Sequence, residues 1–149
     1  AIAHASETEL LAWLDGRLLR LGDAARARAF VAAVRGNLMF PADAEPLIAI
    51  VCDQEVSADP DAVREIAAAG HDFFEQARST WREGDGEFRP WTQAIARGTG
   101  RRGSLLYMPL RAALTGRTHG PELAPLVALM GRDRVEARLR QAGALAAAA

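Results

Sequence analysis

The sequence contains no lysine: its eighteen basic residues are all arginine. A Walker-type phosphate loop and a Schiff base each require a lysine, so both kinds of chemistry are excluded. The glycine-rich stretch Gly98–Gly103 also lacks the Walker spacing and a preceding strand. Arginine instead offers a planar guanidinium that makes bidentate and stacking contacts with phosphates and bases.

Cysteine and long apolar runs are also scarce. The single cysteine, Cys52, ends one of the longest uninterrupted apolar runs, Leu47–Cys52, which predicts a buried, reduced thiol and no disulfide framework. That run is far too short to span a bilayer. No cationic segment followed by an apolar stretch opens the sequence, as it would in a secretory signal. We therefore expect a cytoplasmic protein without membrane contact.

The three histidines have no metal-ligand spacing with each other or with Cys52. His71 is interpreted as a partly buried helix residue, and His119 as an exposed loop residue; the third is His4. No spacing indicates a nucleophile with its base. We expect no catalytic residue, no metal ligand and no cofactor site in this chain.

No stretch alternates apolar and polar residues with the period of a strand, so we expect an all-α fold without a sheet. Ser6 and Glu9 have the spacing of a capping box. Pro46 is tolerable because it falls in the first turn of a helix, and Gly70 marks a break. The helices are predicted at about 7–21, 23–36, from 43 or 44 onward, 59–69, 71–82, 90–98, 104–114, 121–130 and 132–146.

The polar, glycine-rich segment Glu83–Glu87 predicts a boundary between two small helical subdomains, residues 1–86 and 87–149. Charge changes sign soon after it: residues 1–96 hold nine Arg against sixteen Asp and Glu, whereas residues 97–149 hold nine Arg against three acids. Such a basic segment is typical of a surface that binds a polyanion, and the alternative is an ordinary solvated helical face.

The segment 98–131 carries the most specific pattern. Pro109 is expected to fix the first turn of a helix, Leu110 and Leu114 to share its buried face, and Arg111 to point outward. Gly116 is expected to end the helix in the left-handed conformation, with the next helix starting at 120–121 with unpaired N–H groups. An outward arginine beside such a helix start favours the reading of an unpaired base; the alternative is an ordinary helix–loop–helix corner.

These motifs also carry a resemblance. Pro109–Gly116 (PLRAALTG) is followed by Pro121–Leu123, then by Leu126, Leu129 and Gly131, and finally by Arg138–Leu139. This order resembles the end of bacterial glutamyl-tRNA synthetases, which reads PLR-x-A-LTG, a proline-containing helix start, LL-x-x-x-LG and x-x-R-L. Weaker similarity upstream covers the rest of the chain, and the specific match spans about 99–139.

The resemblance implies an all-helical, two-part anticodon-binding bundle or cage, attached to a Rossmann catalytic domain that is the chain's other partner. The implied ligand is the anticodon stem-loop of the glutamate tRNA. The family's HIGH-like and KMSKS-like motifs are absent, so we expect this chain alone not to be an enzyme, and ATP and Mg²⁺ to be used elsewhere in the synthetase. Because the chain starts at Ala1 rather than at methionine, we expect a C-terminal piece of a synthetase; a free-standing homologue is the alternative.

The family's anticodon contacts correspond here to Arg111 and to the loop and helix start after it, at Gly120, Pro121 and Leu123. Some relatives have a hydroxyl residue at the position of Gly120, so its side-chain hydrogen bond is absent here. An arginine of the first helical part also reads the anticodon in the family, and Arg35 is the candidate. Phosphates are expected to be held by Arg101, Arg102 and Arg117, with Arg132 or Arg134.

The competing hypothesis is a helical protein-interaction or regulatory module derived from the synthetase C-terminus. The sixteen carboxylates of residues 1–96 motivate it, because they would repel RNA unless they face away from it. The two hypotheses differ in whether the arginines of the C-terminal third are paired with carboxylates.

Overall fold

The computed structural model describes residues 5–149, apart from the side chain of Asp15, and these residues include helices but no strand. The predicted all-α class is therefore confirmed, while His4 lies outside the described residues. No helix within residues 5–149 is long and apolar enough to cross a membrane. The α-helices are α1 (Glu7–Leu14), α2 (Ala24–Val34), α3 (Ala44–Cys52), α4 (Pro60–Ala69), α5 (His71–Glu83), α6 (Phe88–Thr99), α7 (Ser104–Thr115), α8 (Leu123–Met130) and α9 (Arg132–Ala148).

Several helices begin where the sequence predicts, because their first N–H groups find side-chain partners. The hydroxyl of Ser6 accepts the N–H of Glu9 at 3.1 Å, and the Glu9 carboxylate accepts the N–H of Ser6 at 3.5 Å. Asp23 and Asp59 likewise accept N–H groups from the first turns of α2 and α4, at 2.7 and 2.8 Å. Pro46 lies in the first turn of α3. The bonds accepted by Ser6, Asp23 and Asp59 satisfy backbone N–H groups that a helix cannot pair internally.

The first helical segment runs from Glu7 to Leu21 as predicted, but it is α-helical only to Leu14 and continues as a tighter 3-10 helix, Asp15–Leu21; Gly16, a weak helix former, lies just after that change. Two other predictions of where a helix begins are wrong. Helix α8 begins at Leu123 rather than at Pro121. Pro109 does not open a helix but lies inside α7, five residues after its start.

The chain divides into two compact units, and the first comprises residues 1–53 and 120–130. Helix α8 returns to this unit from later in the chain and packs against α2 and α3. Arg26 joins its parts, since the guanidinium donates to the carbonyls of Leu129 at 2.6 Å and of Leu21 and Val51 at 3.3 Å. The core of the unit is formed by Leu10, Leu14, Leu21, Phe30, Val31, Val34, Leu38, Ile48, Val51, Leu126 and Met130.

The second unit comprises residues 54–119 and 131–149. Helix α9 packs against α4, α5 and α7, while α6 packs against α5 and α7. Glu136 of α9 accepts hydrogen bonds from Arg82 at 2.5 Å and pairs with Arg78 at 3.5 Å, and the bond from Arg82 is the main reason that the pKa of Glu136 lies below its usual value. The core contains Ile66, Phe73, Phe74, Ala77, Trp81, Trp91, Ile95, Leu106, Leu110, Leu114, Val135, Arg138, Leu139 and Ala142.

These units do not follow the division at residues 86 and 87 that the sequence predicts. That position lies within the second unit, between α5 and α6, which pack together and share a hydrogen bond from the Trp91 indole to the Ala77 carbonyl at 2.9 Å. The charge contrast is also smaller between units: the first has five Arg against eight acids, and the second thirteen Arg against eleven. The assignment of residues 1–86 and 87–149 as functional subdomains stays a prediction.

The lone thiol is more open than the sequence predicts. Cys52 is half-buried rather than buried, because it is the last residue of α3. Its thiol lies 3.7 Å from the carbonyl of Arg20.

Candidate nucleic-acid interface

Helix α7 separates a buried face from an outward one, as the spacing of its leucines predicts. Leu106, Leu110 and Leu114 recur every four residues and are buried. On the outward side Tyr107 is exposed and Arg111 is half-buried. Partial burial lowers the pKa of the Arg111 guanidinium below its usual value, and the group stays charged.

Pro109 leaves a carbonyl of α7 open, and Arg101 binds it. A proline has no N–H, so Pro109 cannot bond the carbonyl four residues earlier, that of Leu105. The Arg101 guanidinium donates to this carbonyl at 3.2 Å and, through its other terminal nitrogen, to the Ala69 carbonyl at the end of α4 at 3.2 Å. It also lies over the ring of Phe73, 4.7 Å from the centroid. Arg101 thus ties α4 to α7.

We expect Arg101→Ala to lower the free energy of unfolding of the chain by about 1–3 kcal/mol, since it removes two hydrogen bonds from a charged donor and a cation–π contact. Urea unfolding followed by circular dichroism measures this. The matched control is Arg102→Ala, the exposed neighbour, which should change stability by less than about 0.5 kcal/mol. Equal stability of the two variants would contradict the role of Arg101 as a tie between helices.

The end of α7 is held by the hydroxyl of Thr115 and by a backbone bond to the segment before α4. The Thr115 hydroxyl donates to the Arg111 carbonyl at 2.8 Å and accepts the N–H of Arg117 at 3.1 Å. Gly116 has φ of 74°, which confirms the predicted left-handed end. Its carbonyl accepts the N–H of Asp59 at 2.9 Å, so the segment before α4 lies against this turn.

A buried arginine completes the same turn. Arg138 of α9 is fully buried, and its Nη1 donates to the carbonyl of Leu114 at 2.7 Å. Leu114 belongs to the last turn of α7, whose carbonyls have no partner within the helix. Arg138 thereby holds the helix end that follows Arg111. Burial of Arg138 was not predicted, although its place between the apolar residues Val135 and Leu139 was a signal for it.

An aromatic column runs from the core of the second unit to the outward side of α7. The Trp81 and Trp91 rings meet edge to face at 5.0 Å, and Trp91 meets Phe88 at 6.1 Å. Phe88 then stacks on Tyr107, with centroids 6.5 Å apart and planes inclined by 27°. Tyr107 keeps 44 % of its surface exposed. Tyr107 was not predicted as a site residue, although its position four residues before Arg111 places both on one helix face.

The predicted site residues fall into both units. Arg102 and Arg117 are exposed, and neither they nor Arg101 pairs with a carboxylate among residues 5–149. Arg132 is used within the second unit, where it donates to the Gly84 carbonyl at 2.9 Å. The second unit holds Arg101, Arg102, Arg111 and Arg117, and the first holds Arg35, Gly120, Pro121 and Leu123.

The candidates of the first unit offer backbone more than side chains. Leu123 is only 6 % exposed and Pro121 is buried, so a ligand at this helix start would meet backbone N–H groups. Gly120 is exposed with φ of 140°. Arg35 is half-buried, and its guanidinium donates to the Ala5 carbonyl.

The histidines of the described chain take part in packing or lie at the surface. His71 is exposed rather than partly buried, and its Nδ1 lies 3.0 Å from the Gly143 carbonyl of α9. His119 is exposed in the loop after α7, as predicted. Within residues 5–149 there is no group of three His, Cys, Asp or Glu side chains that could hold a metal ion.

Comparison with known proteins matches residues 7–143 to a family model described as an anticodon binding domain. The chain is 49 % identical over 121 residues to glutamate–tRNA ligase 1 of Halorhodospira halophila, covering 81 % of this chain and 25 % of that ligase. It is 47 % identical over 113 residues to glutamate–tRNA ligase 2 of Acidithiobacillus ferrooxidans, covering 76 % of this chain and 23 % of the ligase. With glutamate–tRNA ligase 2 of Alkalilimnicola ehrlichii it shares 41 % identity over 150 residues, 99 % of this chain and 31 % of the ligase. The chain thus spans about a quarter to a third of the length of these relatives.

Proposed function

Since the chain belongs to the anticodon binding domain family, we propose that it binds the anticodon stem-loop of the glutamate tRNA as part of a glutamate–tRNA ligase. The observation that carries the proposal is Arg111, half-buried on the outward side of α7, one turn before a helix end that Thr115, Gly116 and Arg138 hold in place. The relatives that match most of the chain are glutamate–tRNA ligases, which supports the glutamate tRNA as the ligand.

Arg111 suits the reading of a base because part of its ordering and desolvation precedes RNA binding. An exposed arginine loses rotamer freedom and water when it pairs with a base, whereas a half-buried one has already lost some of both. A guanidinium so held can donate two parallel hydrogen bonds to one base edge, or stack on an unpaired base. We assign to Arg111 the discrimination between anticodons.

The phosphate contacts belong to the exposed arginines of the second unit. Arg102 and Arg117 have no carboxylate partner among the described residues, so RNA phosphates would not have to displace one. Arg101 is better placed as a support for α7, because two carbonyls already use its guanidinium. The absence of carboxylate pairing at these three arginines favours RNA binding over the protein-interaction hypothesis.

The first unit would add contacts of a different kind. The backbone N–H groups at the start of α8, next to Gly120 and Pro121, can donate to a base or phosphate. Arg35 remains the proposed reader in this unit. Leu123 would contribute through its backbone, since its side chain lies in the core.

The chemistry of the ligase would lie outside this chain. The sequence has no lysine that could bind the phosphates of ATP, and the described residues include no group of side chains that could hold Mg²⁺. We therefore assign both to the rest of the ligase, which is the second proposed partner. We place the protein in the cytoplasm, where tRNA is charged.

We expect Arg111→Ala to reduce the preference of the chain for a glutamate anticodon stem-loop over an anticodon-swapped one by about 1–3 kcal/mol, because a bidentate base contact is lost. Arg102→Ala should weaken binding of both RNAs equally and lower the slope of log K against log salt by about one. Fluorescence anisotropy titrations across a salt series measure both quantities.

Two results would contradict these assignments separately. If the unmodified chain binds both stem-loops equally at every salt concentration, anticodon recognition by this chain is wrong. If the unmodified chain discriminates between the two stem-loops but Arg111→Ala weakens the binding of both to the same degree, the base-reading role of Arg111 is wrong while the proposed function stands.

A further inference from the structure

We infer that Tyr107 is a stacking platform for one unpaired base of the RNA that Arg111 reads. The inference rests on the proposed function and deepens it, because it names a second base-binding residue and its mode of contact. Nothing in the PLR motif itself points to Tyr107, which lies two residues before Pro109.

The first support is the way in which the ring is held. Phe88 makes an offset stack with Tyr107, with centroids 6.5 Å apart and planes inclined by 27°, and Phe88 in turn meets the buried Trp91 edge to face. A mobile tyrosine would lose conformational freedom when a base binds, whereas this ring is already held by the aromatic column and loses less. Its remaining 44 % exposure leaves room for a flat partner.

The second support is the position of Arg111 relative to the ring. Residues four apart are neighbours on a helix, so Arg111 and Tyr107 lie on one face of α7, one turn apart. The guanidinium can then donate to the edge of a base whose face lies on the ring. Stacking fixes the plane of the base and hydrogen bonding reads its edge, which is how single-stranded RNA is commonly recognised.

The third support is charge. An exposed aromatic ring on its own would fit an apolar partner as well as a base. This ring lies on the same helix as Arg111, and Arg102 lies just before the start of that helix. Base stacking tolerates every base, whereas the arginines supply attraction to the phosphates around it. The chemistry therefore favours a nucleobase.

The test uses a glutamate anticodon stem-loop with 2-aminopurine placed in turn at each unpaired loop position. This base is bright when free and quenched when stacked, so its fluorescence reports stacking apart from affinity. We expect the unmodified chain to quench one position, Tyr107→Leu to lose that quench and to bind about tenfold more weakly, and Tyr107→Phe to restore the quench. Leu105→Ala is the control, because Leu105 is 68 % exposed and lies two residues before Tyr107, off the helix face that Tyr107 shares with Arg111.

The outcomes separate this inference from the proposed function. Suppose that the unmodified chain binds and discriminates stem-loops, and that Tyr107→Leu quenches 2-aminopurine fluorescence as strongly as the unmodified chain does. The stacking inference is then overturned and the proposed function survives. The same holds if Leu105→Ala loses as much quench as Tyr107→Leu. If no stem-loop binds the unmodified chain, the proposed function fails first. Far-ultraviolet circular dichroism of each variant verifies that loss of quench does not come from loss of fold.

Discussion

Gly116→Ala is expected to destabilise the chain by roughly 3 kcal/mol or more. Gly116 has φ of 74°, a conformation that costs an L-residue about 1–2 kcal/mol. A Cβ at this position would also lie 2.3 Å from the carbonyl oxygen of Ser57. Since that oxygen belongs to the backbone, the segment 57–59 must move, which adds a further ~1–3 kcal/mol and weakens the bond from the Asp59 N–H to the Gly116 carbonyl. Thermal and urea unfolding measure the loss.

The chain offers a closely matched control at the end of α6. Gly100 has the same φ of 74° and ends its helix in the same left-handed conformation, but a Cβ there would meet nothing within 4 Å. We expect Gly100→Ala to cost only about 1–2 kcal/mol, which comes from the backbone conformation alone. The difference between the two variants isolates the close approach of Ser57. Equal losses would show that the segment before α4 yields freely, contrary to this prediction.

The helices themselves were largely predictable, because their signals are local. The Ser6–Glu9 capping box, the tolerated Pro46, the break at Gly70 and the left-handed Gly116 all depend on residues within one or two turns. Such signals can be recognised without knowing how the helices pack. The errors arise where a local pattern allows two outcomes. Pro109 fits a helix start as well as a helix interior, and in the interior the Leu105 carbonyl, which a proline cannot bond, is bonded by Arg101.

The arrangement of the helices was not predictable from the same signals. An amphipathic helix shows which face is buried but not which helix covers it. Helix α8 joins the first unit although residues on both sides of it belong to the second. The polar loop at 83–87 predicts a domain boundary because its composition is typical of linkers. In the structure, however, α5 and α6 on either side of this loop pack against each other. The charge contrast that supported the boundary is smaller once residues are grouped by packing.

The candidate site likewise has a part that local sequence signals predict and a part that depends on distant contacts. The base-reading candidate came from a motif, whereas the roles of the other arginines depend on distant carbonyls. Arg101 bonds Ala69 across 32 positions, and Arg138 bonds Leu114 across 24. A sequence shows how many cations a segment holds but not which of them are used by the protein's own backbone. For this reason the sequence does not distinguish Arg101 from Arg102, and it shows Arg138 only as part of a motif.

Arg138→Ala is the second substitution with a large expected effect, about 3–4 kcal/mol lost from the free energy of unfolding. The side chain is fully buried and gives the Leu114 carbonyl a donor at 2.7 Å. Truncation removes a long packed side chain and leaves that carbonyl without this charged donor. Arg138 also lines a cavity with Ser57 and Gln141, which truncation would enlarge. The amide of Gly116, bonded to the Ala112 carbonyl in the last turn of α7, should exchange its hydrogen faster than in the unmodified chain.

Two companion variants separate the causes of that loss. Arg140→Ala removes an exposed arginine from the same helix and should change stability by less than about 0.5 kcal/mol. Arg138→Met keeps most of the packing volume but not the donor, so we expect a loss between those of Arg140→Ala and Arg138→Ala. If Arg138→Ala unfolds at the same urea concentration as Arg140→Ala, Arg138 does not hold the end of α7. Since Arg111 lies one turn before that end, a real loss would also broaden the positions that Arg111 adopts, and anticodon discrimination should fall together with amide protection.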